Sequence, residues 1–145
     1  VAAQAAAPSD ACNLLTDAEV AEVLGVKVDA GHHPNVDDPK QCYWRAADMP
    51  TGVAKSINVY IIDSANFGSM KKATIHGTES PVPGLGDDSY YSSGFVPNLS
   101  LRKGTVYVRL MARATDSTST DPANVQFDQD MAAEKKLAAS VLKRL

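Results

Sequence analysis

Leu99 and Leu101 alternate with polar residues up to Lys103-Gly104, and Val106, Val108 and Leu110 alternate after it. Side chains on a strand repeat every two residues, and a two-residue turn with Gly second is a hairpin signal. This stretch therefore predicts two antiparallel strands. Val106, Val108 and Leu110 share one face, and Tyr107, Arg109 and Met111 share the other. An isolated hairpin is marginal in water, so further strands and a cover are required. Ile57, Val59 and Ile61 alternate within Val53 to Ile62 and supply a third strand. Cys42 to Arg45, Ser89 to Ser92 and Val26 to Val28 read as shorter extended segments, with a turn at Pro50-Thr51-Gly52.

The cover is helical. Thr16-Asp17-Ala18-Glu19 is a capping box, with Leu15 and Val20 placed as a hydrophobic staple. Val20, Val23 and Leu24 form one face, and Gly25 stands where a left-handed residue ends a helix. Asp63 or Ser64 can cap a second helix over Ala65 to Ala73, with Phe67 and Met70 inward. Near the C-terminus, Ala133, Leu137, Val141 and Leu145 recur every four residues, with Ala138 and Leu142 beside them, which predicts a third helix. The order predicts an α+β fold, an antiparallel sheet with helices packed on one face. Its first two blocks, each a helix followed by strands, admit a structural duplication, although no residue-level repeat accompanies it.

With 145 residues the chain suits one domain, expected over 12–145 after a flexible Ala-rich leader, 1–11. Ala114 to Thr120 is poor in apolar residues and reads as a loop. The net charge of −3 carries no basic excess, which argues against nucleic acid as a partner. No apolar run approaches the roughly 20 residues that span a bilayer.

Cys12 and Cys42 stand 30 positions apart, without the CxxC spacing of a redox motif or zinc ribbon. The Ala-rich start resembles the region downstream of a removed export signal, and a cysteine pair in a small exported domain most simply forms a disulfide. Two buried reduced thiols and a lipidated Cys12 are the other readings. The context Pro8-Ser9-Asp10-Ala11 suits lipidation poorly.

Three elements occur in order. They are Cys12-Asn13-Leu14-Leu15-Thr16-Asp17-Ala18-Glu19-Val20 with Leu24-Gly25, then Cys42-Tyr43-Trp44, then Pro83-Gly84-Leu85-Gly86-Asp87-Asp88-Ser89-Tyr90-Tyr91 followed by Arg102-Lys103-Gly104. Together they resemble exported and lipoprotein-type domains of unknown function from actinobacterial envelopes. The resemblance implies a two-cysteine extracytoplasmic α+β domain and brings no catalytic residues.

His32-His33 lies near Asp29, Asp37 and Asp38, but adjacent residues of an extended segment point to opposite sides, so a solvated loop is the better reading. His76 could approach Asp87 or Asp88, yet no nucleophile elbow accompanies it. Gly84-Leu85-Gly86 lacks the remaining glycine and the Lys-Ser/Thr of a phosphate loop, and it reads as a tight turn into a strand. No catalytic residue, metal site or cofactor is expected. Tyr60, Tyr107 and Arg109 are the candidate binding residues, because a Tyr/Arg surface on a sheet face has the composition of a binding face. Trp44 is expected to pack near the disulfide. The sequence thus predicts a non-catalytic extracytoplasmic module for an envelope protein or small ligand. A small secreted hydrolase and an inhibitor of a secreted enzyme are the alternatives.

Overall fold

Five antiparallel strands form one sheet in the order β1-β2-β5-β4-β3. The strands are β1 (Gln41–Arg45), β2 (Ser56–Ile62), β3 (Asp88–Ser92), β4 (Asn98–Lys103) and β5 (Val106–Arg113). Helices α1 (Asp17–Leu24), α2 (Ser64–Lys71) and α3 (Val125–Leu142) complete the fold, with a 3-10 turn at Ala11–Asn13. The computed structural model describes residues 8–47, 55–93, 96–114 and 125–145. The expected turn at Pro50-Thr51-Gly52 and most of the loop Ala114 to Thr120 lie outside them, as does most of the leader.

Registers fix what each face carries. Cys42 pairs with Val59, Trp44 with Ile57, Ile57 with Ala112, and Leu99 and Leu101 with Leu110 and Val108. All are buried on one face, where Leu14, Val20 and Leu24 meet Ala133, Leu137, Ala138 and Val141 of α3 in a single core. The capping box forms as expected: Glu19 N–H donates to Thr16 Oγ1 at 3.1 Å, and Thr16 N–H donates to Glu19 Oε1 at 2.8 Å. Arg144, just beyond α3, reaches the same carboxylate at 2.9 Å and ties the start of α1 to the end of α3.

The structure departs from the sequence reading in several details. The hairpin loop is Gly104-Thr105 rather than Lys103-Gly104, since Lys103 pairs with Val106. Gly104 supplies the positive φ of 61° there. Val26 to Val28 contributes only a bridge from Val28 to Ala46. Ala11, the last leader residue, is fully buried, and its amide donates to Pro39 O at 2.8 Å. The largest departure is α2. Tyr91 faces α3 and donates to Met131 O, whereas its neighbour Tyr90 faces the other way. Phe67 of α2 meets Tyr90 and Tyr107 on that second face, at ring-centroid distances of 5.0 and 5.2 Å. Helices therefore lie on both faces of the sheet. With α1 and α2 on opposite faces, the two halves are not equivalent as a duplication would make them.

The turn before β3 is tight for a visible reason. Gly86 has φ 74°, and a Cβ there would stand 2.5 Å from Arg102 O. Asp87 N–H donates to that carbonyl at 2.8 Å, so the backbone must pass close. Both sheet edges are covered by chain. His32 exchanges backbone hydrogen bonds with Tyr43 along β1, and Ile75 N–H donates to Tyr91 O along β3.

At its far end β5 outruns β4, whose ladder stops at the pair Asn98↔Met111. The amides of Ala112 and Ala114 donate instead to Glu134 Oε2 at 2.8 Å and Asp130 Oδ1 at 2.7 Å. Alternate strand residues lie about 6.8 Å apart and a helical i, i+4 pair about 6 Å, so the two spacings match. Burial pushes both carboxyls above their ordinary values, Glu134 far above, and Asp130 adds to the rise at Glu134.

A pH profile follows. Between the unfolded carboxyl value of about 4.3 and the higher folded one, the native state holds a proton that the unfolded chain has released. Stability is therefore expected to fall as pH rises across that window. Each pH unit separating the two values contributes about 1.4 kcal/mol. Asp17 and Glu19 act oppositely. The Gly31 amide and the Trp44 indole lower Asp17; at Glu19 the upward push of burial is outweighed by Thr16 and Arg144. Their contribution is lost as pH falls through their folded values. Urea midpoints across pH 3–8 should trace a maximum, and Glu134→Gln, which keeps an acceptor for Ala112, should flatten the upper limb. An unchanged upper limb in that variant would refute the assignment.

Candidate functional site

The second sheet face presents Tyr60 and Ile62 from β2, Tyr107, Arg109 and Met111 from β5, and Asn98 and Ser100 from β4. The eight-residue helix α2 crosses this face, capped by Asp63, whose Oδ1 accepts from Asn66 N–H at 2.7 Å. Tyr90 O–H donates to Phe67 O at 2.6 Å and ties the helix down. Few of its residues are large and apolar, so it fills the space over Tyr90 and Tyr107 but not the space beside them. What remains is a cavity of about 410 Å³ lined by Tyr60, Ile62, Asn66, Met70, Ser93, Asn98, Arg109 and Met111.

Tyr60 and Arg109 are direct partners in the β2–β5 ladder and so stand side by side on this wall. Arg109 Nε donates to Ser100 Oγ at 3.0 Å. Its Nη2 is buried with no hydrogen-bond partner among the described residues, as are Asn98 Oδ1 and Ser92 Oγ. Ser92 is the ladder partner of Asn98. Buried polar atoms are paired in the great majority of cases, so three orphans on one face set it apart. Tyr60 OH accepts from Gln41 Nε2 at 3.0 Å. Burial raises its pKa, with the Arg109 charge pulling the other way, so the phenol keeps its proton at neutral pH and can donate it. Tyr107 sits two residues along the same face and packs on Phe67.

No family model, curated protein or solved structure matches the chain.

The other sequence candidates are placed elsewhere. Cys12 and Cys42 form a disulfide. Trp44 is 1% exposed and shares the core with it. His33 does not join Asp29 or Asp37. Its Nδ1–H donates to Gln41 O at 2.7 Å and its Nε2 faces Asp10 at 3.1 Å, so its pKa rises, chiefly through the Gln41 carbonyl. Asp10, Cys12 and His33 stand close enough to hold an ion, but the Cys12 sulfur is spent in the disulfide. His32 lies edge-on to Tyr43. His76 is exposed. Lys71 takes Asp88 at 2.6 Å, and Gly104 N–H takes Asp87 at 2.7 Å.

A second cavity of about 420 Å³ lies between α1 and α3, lined by Val23, Lys55, Ala133 and Lys136 among others. Lys55 Nζ is engaged with Leu24 O, and none of the orphaned polar atoms belongs to this lining. Sequence reasoning missed Asn98, Ser92, Asn66 and Ile62. One signal was available: Asn98 and Ser100 alternate with Leu99 and Leu101, and polar residues facing Arg109 across a covered sheet are candidates for a buried polar site.

Proposed function

We propose that this is a non-catalytic binding domain of the bacterial envelope, working outside the cytoplasm, that takes its ligand in the cavity beneath α2. The carrying observation is the orphaned Nη2 of Arg109 which, like the orphaned Oδ1 of Asn98, belongs to a residue that lines the cavity. Leaving such groups unsatisfied costs about 1–3 kcal/mol each, more for a charged one, and a ligand that pairs them recovers it. The lining holds a cation, two amides, hydroxyls and apolar side chains, with no histidine, cysteine or carboxylate. Such a set orients and holds a molecule. The disulfide supports an oxidising compartment. Among the described residues no helix is long and apolar enough to cross a membrane. The resemblance to actinobacterial envelope domains points the same way. A hydrolase would need His32 or His76 beside a carboxylate and a nucleophile, and neither lines this cavity.

The test is a fragment screen by two-dimensional NMR on the disulfide-intact protein. Binding fragments should move the amides of Ile62, Asn98, Arg109 and Met111 together, and Met111→Trp, which fills the cavity, should abolish the response. Shifts confined to the α1–α3 side, or no binding fragment at all, would remove the assignment.

A further inference from the structure

Taking this cavity as the binding site, a reading on which the conclusion rests, we infer that it holds a small amphipathic carboxylate. The carboxylate sits on Arg109 Nη2, an adjacent N–H or O–H donates to Asn98 Oδ1, and the apolar body lies against Ile62, Met70 and Met111.

The orphans themselves set the chemistry. A guanidinium nitrogen only donates, so Nη2 demands an acceptor; an amide oxygen only accepts, so Asn98 Oδ1 demands a donor. An occupant must therefore present both, which excludes a plain hydrocarbon and an anion with no hydrogen to donate, such as chloride. The acceptor should be anionic, because none of the ion pairs among the described residues neutralises Arg109. The lining contains one cation and no lysine, which matches a single negative charge. A phosphate monoester carries about 1.5 to 2 charges and several acceptor oxygens, more than one guanidinium nitrogen can serve. Tyr60, beside Arg109 and holding its phenolic proton, offers the second carboxylate oxygen a donor. The rest of the lining joins Ile62, Met70 and Met111 to the polar Asn66 and Ser93, and its two flexible methionines adapt to side chains of different shape.

An α-substituted acid has this arrangement: a carboxylate, a donor on the next carbon and an apolar side chain. It can come from a free acylated amino acid or hydroxy acid, or from the C-terminal residue of a peptide. N-acetyl-L-leucine and acetyl-Ala-Ala-Leu separate these sources, each titrated calorimetrically as free acid and as carboxamide. At least one acid should bind, with its amide weaker by about tenfold or more. Tight binding of the tripeptide acid identifies the peptide terminus; binding of N-acetyl-L-leucine alone identifies the free acid. Arg109→Gln should lose the acids. Asn98→Asp, nearly isosteric and placing a carboxylate on the same wall, should lose the acids and gain the cation L-leucinamide, with urea midpoints confirming that both variants fold. Equal binding of acid and amide, acid binding retained in both variants, or no binding by any of these probes would overturn the inference. Neutral fragments that shift the cavity amides in the NMR screen would in that event keep the site and remove only the carboxylate.

Discussion

Reduction of the Cys12–Cys42 disulfide is expected to lower the unfolding free energy by about 3–4 kcal/mol, from the chain entropy released when a loop of some 30 residues is no longer closed. The native side of the equilibrium should change little. Independent contacts already hold the N-terminal segment: Ala11 N–H donates to Pro39 O at 2.8 Å, and His33 links Asp10 to Gln41 O. The effect therefore acts through the unfolded chain, and a second signature distinguishes it from lost packing. Urea titrations with and without reductant should show a lower midpoint and a steeper dependence on urea, because the opened chain exposes more surface when unfolded. Near-ultraviolet dichroism of the reduced native state should keep its aromatic bands and lose only the contribution of the disulfide itself. A midpoint that does not move would refute this account, since opening the loop would then have left the entropy of the unfolded chain unchanged.

Trp44→Ala should destabilise by about 3–5 kcal/mol, the range for removing a large aromatic side chain from a packed interior. Trp44 is 1% exposed and lies opposite Ile57 in the ladder. Gly31 passes so close that a Cβ there would stand 2.4 Å from the indole, so backbone closes one side of the ring. Asp17 closes the polar edge, accepting from Trp44 Nε1 at 2.8 Å and from Gly31 N–H at 3.0 Å. Collapse around the missing ring would have to draw in β1, α1 and the Gly31 loop together, which keeps the cavity open and the cost high. Trp44→Phe separates the contributions. It retains most of the packing, and the lost hydrogen bond to exposed Asp17 should cost only about 0.5–1.5 kcal/mol. Equal losses for the two variants in chemical denaturation would mean that the hydrogen bond, not the packing, dominates.

The parts of the fold that local chemistry dictates were legible. The capping box at Thr16–Glu19, the left-handed Gly25 and the alternation of β5 each follow from spacing within a few residues, and each is present. The hairpin turn was misplaced by one position, which shifts the pairing sum by two. That preserves alternation, so the faces were still assigned correctly. The face taken by α2 was not legible, because Phe67 and Met70 alone define no stripe. What decides it is the second sheet face, where Tyr90 and Tyr107 need cover, and that face exists only once five strands are ordered. The site was half legible for the same reason. Tyr60 and Arg109 lie on strands whose alternation announces them, whereas Asn98 and Ser92 join them only through the β3–β4–β5 ladders. Asp130 and Glu134 look like ordinary acidic residues of a solvated helix. Their role depends on β5 outlasting β4, a length difference that no local pattern records.

That overhang also bears on how copies of this molecule behave toward one another. Unpaired amides on an exposed strand segment are a template on which a second extended chain can zip, the usual start of domain exchange and fibril growth. Here the template is taken by the side chains of Asp130 and Glu134, which accept from these amides. An incoming strand would have to expel a buried carboxyl before gaining its first backbone pair. The C-terminal helix thus acts as a stopper against self-association at the overhang of β5.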